Sequence, residues 1–130
     1  MTEAAGILAL AGFSWLALFQ FLLALGFPLG AMAWGGAHRV LPSTLRLASA
    51  LSAVLAGVGA LTVAQTSGLG PSVLPDITVR PLLGAFAALF ALSVVGNAAS
   101  QSLVERLHGV PLAAALCLSC AALAWKSGGA

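Results

Sequence analysis

Long apolar runs alternate with short stretches rich in glycine, proline and polar residues, at a spacing that suits repeated membrane crossing better than a soluble core. The first run covers residues 4–27, is broken only by Ser14 and Gln20, and stops at Pro28 and Gly30. A crossing helix needs about 20 residues, so this run is long enough. Residues 30–42 are glycine-rich and carry Trp34, His38 and Arg39, as expected of a headgroup-level loop with an aromatic anchor. Pro42-Ser43-Thr44 then marks a helix start, where a hydroxyl can cap free backbone amides. The second run, 45–65, is studded with the small residues Ala53, Gly57 and Gly59 and the hydroxyls Ser49, Ser52 and Thr62.

Residues 67–80 hold Gly68, Gly70, Pro71, Pro75 and Asp76, a composition that breaks helices and belongs outside the hydrocarbon or buried in protein. Pro81 is placed as the first residue of a third helix over 81–100, where its missing amide costs nothing. Residues 101–109 form a polar connector with Glu105, Arg106 and His108, and Pro111 opens a fourth helix over 110–126. With an apolar run of about 15 residues, that last helix is short for a crossing; it thins the bilayer locally, begins inside the connector or fails to cross completely. The pattern predicts an all-α integral membrane four-helix bundle, with residues 1–130 as one transmembrane domain.

Composition strengthens this picture. With 61% hydrophobic and only 6% charged residues, the chain lies outside the soluble range, and four crossings of 130 residues leave no room for a second domain. Five basic and three acidic groups are too few for the basic stripe that nucleic-acid binding needs. Met1-Thr2-Glu3 carries no lysine or arginine, so the first run reads as a retained helix rather than a cleaved leader. Arg39, Arg46 and Arg106 fall on the side of the first and third loops, and Arg80 and Lys126 on the side of the termini. That bias places the Trp34 loop in the cytoplasm and the termini outside. A gapped echo of His38-Arg39-Val40-Leu41-Pro42 in His108-Gly109-Val110-Pro111 is too short to count as a repeat.

Lipid tails are as apolar as leucine, so the helices must associate through close packing and interhelical hydrogen bonds. Ala53/Gly57, Ala56/Ala60 and the alanine, cysteine and serine surface of 113–124 serve that packing, within one bundle or between chains. The partners expected are membrane lipids, with a homo-oligomer or a larger membrane protein as the alternatives. None of the charged side chains falls mid-span, where proton relays and cation-coupled transport need one. Gln20 and Asn97 are the most deeply placed polar groups, suited to interhelical hydrogen bonds or to lining a small polar cavity.

Cys117-Leu118-Ser119-Cys120 is the one pattern with redox potential, since a C-x-x-C pair can cycle between dithiol and disulfide. It superficially resembles the vitamin K epoxide reductase family, a four-helix membrane bundle with C-x-x-C on its last helix. That resemblance implies thiol-disulfide exchange with a quinone. It covers two positions and the helix count, and the family's loop cysteines have no counterpart here. Thiols deep in an apolar run are more often inert small hydrophobes.

The topology gathers Trp34, His38, Arg39, Arg46, Glu105, Arg106 and His108 at one membrane face. Arg39 or Arg46 is expected to pair with Glu105, docking the first loop on the third, while the other cations meet anionic headgroups. The two histidines and the glutamate lack metal-ligand spacing, so neither metal nor cofactor is expected. GFPLGAMAWGGAH at 26–38, followed by Leu41-Pro42 and Leu45-Arg46, resembles a group of small bacterial four-helix membrane proteins with an AWGG-x-H loop. Asn97, Ser100 and Glu105-Arg106 fit the same pattern, so the likeness spans most of the chain. It implies the architecture and a bacterial cytoplasmic membrane location, and transfers no catalytic residue. The expected function is a non-enzymatic accessory, scaffold or lipid-associated bundle. The alternatives are a thiol-disulfide oxidoreductase using Cys117 and Cys120, and a small oligomeric transporter or channel with a path near Gln20 or Asn97.

Overall fold

The computed structural model describes residues 2–128. Four helices account for most of them: α1 (Thr2–Ala24), α2 (Ser43–Thr66), α3 (Asp76–Ala98) and α4 (Leu103–Gly128). Two 3₁₀ turns, Gly30–Met32 and Trp34–Gly36, shape the first loop. Each of the four helices is long and apolar enough to cross a membrane. The molecule is therefore an all-α, multi-pass membrane bundle, and the described residues contain no strand.

The helix limits follow local hydrogen bonding more closely than they follow apolar runs. Helix α1 stops at Ala24, short of the expected 27, because Gly26 adopts φ +94°. Phe27 N–H then reaches Leu22 C=O at 3.1 Å and Gly26 N–H reaches Leu23 C=O at 3.0 Å, closing a Schellman turn. Helix α2 ends in the same way: Gly68 sits at φ +72° and Leu69 N–H bonds Ala64 C=O at 2.8 Å.

The expected starts of the third and fourth helices are both corrected. Helix α3 begins at Asp76, whose carboxylate favours the positive end of the helix dipole, and Pro81 lies inside the second turn. Helix α4 begins at Leu103, so residues 103–109 are helical and not a polar connector. The cause is Ser102, whose Oγ accepts Glu105 N–H at 3.2 Å as an N-cap. Ser102-x-x-Glu105 is a capping-box spacing immediately before an apolar stretch. With 26 residues, α4 has ample length to cross, and Pro111 is an interior residue.

Helix α1 packs along both α2 and α4, and α4 packs along α3, whereas α2 and α3 scarcely touch. The core centres on Phe13, which is fully buried and meets Phe86 and Phe90 edge-on at ring distances of 5.1 and 5.5 Å. A Cβ on Gly59 would collide with the Phe13 ring, so the missing side chain lets that ring lie directly on α2. Leu51, Val54, Leu92 and Leu118 point outward and are exposed. Facing lipid, that apolar surface carries no penalty.

Gly59→Leu is expected to displace Phe13 and cost about 1–3 kcal/mol of stability, the usual range for overpacking. Gly57, which has open space at its Cβ position, serves as the control. Gly57→Ala should stay within roughly 0.5 kcal/mol of the parent or gain slightly from helix propensity. Thermal unfolding in detergent checks both; equal losses would place the Phe13 contact outside the stabilising core.

Candidate functional site

The first loop folds into a cap because three successive residues take left-handed backbone angles: Trp34 (φ 51°), Gly35 (φ 83°) and Gly36 (φ 74°). Glycine adopts that region freely, and tryptophan does not. A Cβ on Gly36 would also run into the Ser102 side chain. The Trp34 backbone is held by its own indole, whose Nε1–H donates to the fully buried Ser49 Oγ at 2.9 Å. Gly30 N–H closes the base of the loop on Arg39 C=O at 2.8 Å. Ser102 Oγ–H donates to Ala31 C=O, tying the loop to the start of α4.

The first loop docks on the start of α4, and not through the expected pairing of Arg39 or Arg46 with Glu105. The buried Glu105 carboxylate accepts the Gly35 N–H at 3.2 and 3.4 Å from its two oxygens. In a full capping box it would bond back to the Ser102 amide. Here Ser102 N–H goes to Ser100 Oγ instead, leaving the carboxylate to the loop. Neither Arg39 nor Arg46 reaches it. Arg39 is exposed, and Arg46 Nε–H donates to Ala24 C=O at 2.9 Å, the open end of α1. Arg106 likewise donates to Ser100 C=O at 2.6 Å, just beyond α3. Arg80 does the same for α4 at the other end of the bundle, donating to Ala124 C=O at 3.1 Å. Each guanidinium thus sits near a helix C-terminus, where the negative end of the dipole favours a cation, and Arg46 meets a carbonyl that lacks an intrahelical partner.

Between α2 and α3 lies a cleft of about 790 Å³. Its walls are mainly apolar, built from Phe13, Phe19, Leu55, Phe86, Phe90 and Leu112. Trp34 and Gly35 of the loop cap, together with Gln20, Asn97, Gln101, Glu105 and His108, also line it. These polar residues come from two regions far apart in sequence, Gln20 on α1 and residues 97–108 across the α3–α4 turn. Asn97 fits against α4 only because Gly109 has no Cβ, and its Nδ2–H bonds Ser93 C=O at 2.8 Å. Gln20 Oε1 is buried and accepts no hydrogen bond.

His108, expected in a headgroup-level connector, instead lies in the second turn of α4 among aromatic rings. Its ring is 4.9 Å from Phe19 and 5.9 Å from Trp15. Trp15 Nε1–H donates to His108 Nε2 at 2.7 Å, which assigns the neutral tautomer carrying its proton on Nδ1. Of the residues singled out from sequence, the fold thus brings Gln20, Trp34, Asn97, Glu105 and His108 to one cleft. His38 and Arg39 stay exposed outside it, and Arg46 and Arg106 serve helix ends. Trp15 and Ser102 were missed, and Ser49 was read only as one of the hydroxyls along the second helix. Ser102 had a legible signal in its capping-box spacing, whereas the Trp15–His108 and Trp34–Ser49 pairs depend on helix packing.

Cys117 and Cys120 are both free thiols, and Cys120 is fully buried in the core. They lie well inside α4, where residues three apart hold their Cβ atoms about 5–6 Å apart. A disulfide needs about 3.8 Å. Closing the bond would require unwinding a membrane-embedded turn, so the geometry favours a packing role. No protein-family model matches the chain, and no curated protein or solved structure matches it either.

Ser49→Ala leaves the Trp34 indole N–H without its acceptor and is expected to cost about 1 kcal/mol. Faster amide hydrogen exchange confined to residues 30–42 would register the loosened cap, and unchanged protection would remove this bond from the account. For the cysteines, the expected result is identical thiol labelling in unfolded samples prepared with and without reductant. A labelling deficit without reductant, restored by reducing agent, would mean that the turn does open to form the disulfide.

Proposed function

We propose that this chain is a non-enzymatic, lipid-associated helix bundle of the bacterial cytoplasmic membrane that holds an amphiphilic molecule in the cleft between α2 and α3. The cleft carries the reading. Its volume of about 790 Å³ falls within the range of roughly 300–1,000 Å³ common to small-molecule sites. Apolar walls with a few convergent polar groups are the lining such sites use. Since α2 and α3 scarcely touch, the cleft opens sideways, toward where acyl chains would lie. The positive-inside bias of Arg39, Arg46 and Arg106 supports a cytoplasmic position for the Trp34 cap, with the termini outside. The likeness to the AWGG-x-H group supports a bacterial membrane.

An accessory role fits the outer faces. Gly57 on α2 and Gly84 on α3 have open space at their Cβ positions, suited to close approach by a helix of a larger membrane protein or of a second copy. A transport path between copies draws no support from Gln20 and Asn97, because both line the same cleft within one chain.

Gly96 lines the cleft and has nothing within 4 Å of its Cβ position. Gly96→Phe should fill the cleft without a backbone clash. Native mass spectrometry of protein extracted in mild detergent is expected to show a retained amphiphile in the parent and several-fold less in this variant, at an unchanged melting temperature. Equal retention, or none in either protein, would sink the cleft as a binding site.

A further inference from the structure

We infer that the cleft selects a phosphate-free cationic amphiphile, an apolar body carrying a single ammonium nitrogen, with that nitrogen beside the Glu105 carboxylate. The inference rests on reading the cleft as a binding site and follows from which polar groups there are already committed. Three of the lining residues have spent a side-chain donor, Trp34 Nε1–H on Ser49, Asn97 Nδ2–H on Ser93 C=O and Ser93 Oγ–H on Leu89 C=O, whereas His108 keeps its Nδ1–H. Two buried acceptors are left underused. Gln20 Oε1 is buried with no donor, and Glu105 receives one amide N–H for a whole carboxylate. Glu105 is only 7% exposed, and among the described residues no cation pairs with it.

A carboxylate so placed is costly unless a donor or a positive charge joins it. Among the described residues no lysine or arginine lines the cleft, and His108, which does, is the neutral tautomer with Trp15 on its Nε2. This same absence argues against an aminophospholipid, whose phosphate would bring a second negative charge close to Glu105 with nothing to neutralise it. The aromatic lining favours a cationic nitrogen further. Phe19 and Trp34 both line the cleft that Glu105 lines, and ring faces attract ammonium groups, quaternary ones included. The mainly apolar walls accommodate the body of the molecule, and the acceptors and rings choose its head.

The full chain in neutral maltoside micelles, probed with decyltrimethylammonium and with decanol and read by native mass spectrometry, separates the two levels of the argument. The parent is expected to prefer the ammonium by roughly tenfold or more, a discrimination typical of a desolvated charge contact. E105Q, whose amide still offers Gly35 an acceptor oxygen, should abolish that preference. Equal loading of both probes by the parent would overturn the headgroup assignment and leave the cleft as a site. Loading of neither probe would remove the cleft reading itself. Displacement of decyltrimethylammonium from the parent by phosphatidylethanolamine would likewise overturn the exclusion of phosphate. The comparisons on the parent need no variant, so they decide the matter even if E105Q fails to fold.

Discussion

A helix that ends at a membrane surface leaves its last carbonyls without intrahelical partners, and hydrocarbon offers nothing in their place. Here Arg46 meets that need for α1, Arg106 and Arg80 bond carbonyls near the ends of α3 and α4, and together the three link the helices in pairs. Arg46, near the start of α2, bonds the end of α1; Arg106, near the start of α4, bonds the chain just past α3; and Arg80, near the start of α3, bonds the last turns of α4. Every one of these bonds joins α1 to α2 or α3 to α4. No arginine joins α2 to α3, which are also the sequential neighbours that scarcely touch. The bundle is thus two stapled hairpins sharing an α1–α4 seam, with a gap where no staple exists.

That gap is kept from being mere slack by the first loop. Gly35 can send its amide to Glu105 only because the backbone turns left-handed for three residues, and Trp34 tolerates that turn because Ser49 anchors its indole. Loop, α2 and α4 are therefore coupled at the cleft through one carboxylate. At the opposite end of the bundle, Gln65 performs a comparable task with a single side chain. Its Oε1 accepts Val73 and Leu74 amides at 3.0 and 2.9 Å and its Nε2–H donates to Leu74 C=O, pinning the second loop onto α2.

The four-helix membrane architecture was legible because it depends on run length and hydropathy, which are properties of sequence alone. Helix limits were less so where a polar side chain outweighed composition: Ser102 starts α4 eight residues before the apolar run's Pro111 would suggest, through a spacing that polar composition had masked. Topology had put Trp34 and Glu105 at one membrane face, and the fold brings the amide of Gly35, the residue after Trp34, to Glu105. That contact was not legible, because charge pairing suggested Arg39 or Arg46 where a backbone amide stands instead. Gln20 and Asn97 were recognisable as deep polar groups, but their meeting at one cleft depends on which helices separate, and no local pattern encodes that.

The sideways opening between α2 and α3 changes the reference state against which recognition is measured. A molecule entering from the bilayer has already left water, and its tail exchanges one hydrocarbon neighbour for another with little gain. Phe13, Phe86 and Phe90 therefore supply shape, while discrimination falls to a handful of polar atoms at Gln20, Asn97 and Glu105. Occupancy would follow the mole fraction of a ligand within the membrane, not its concentration in the surrounding solution. On the proposed reading, such a protein would respond to the composition of the leaflet it sits in.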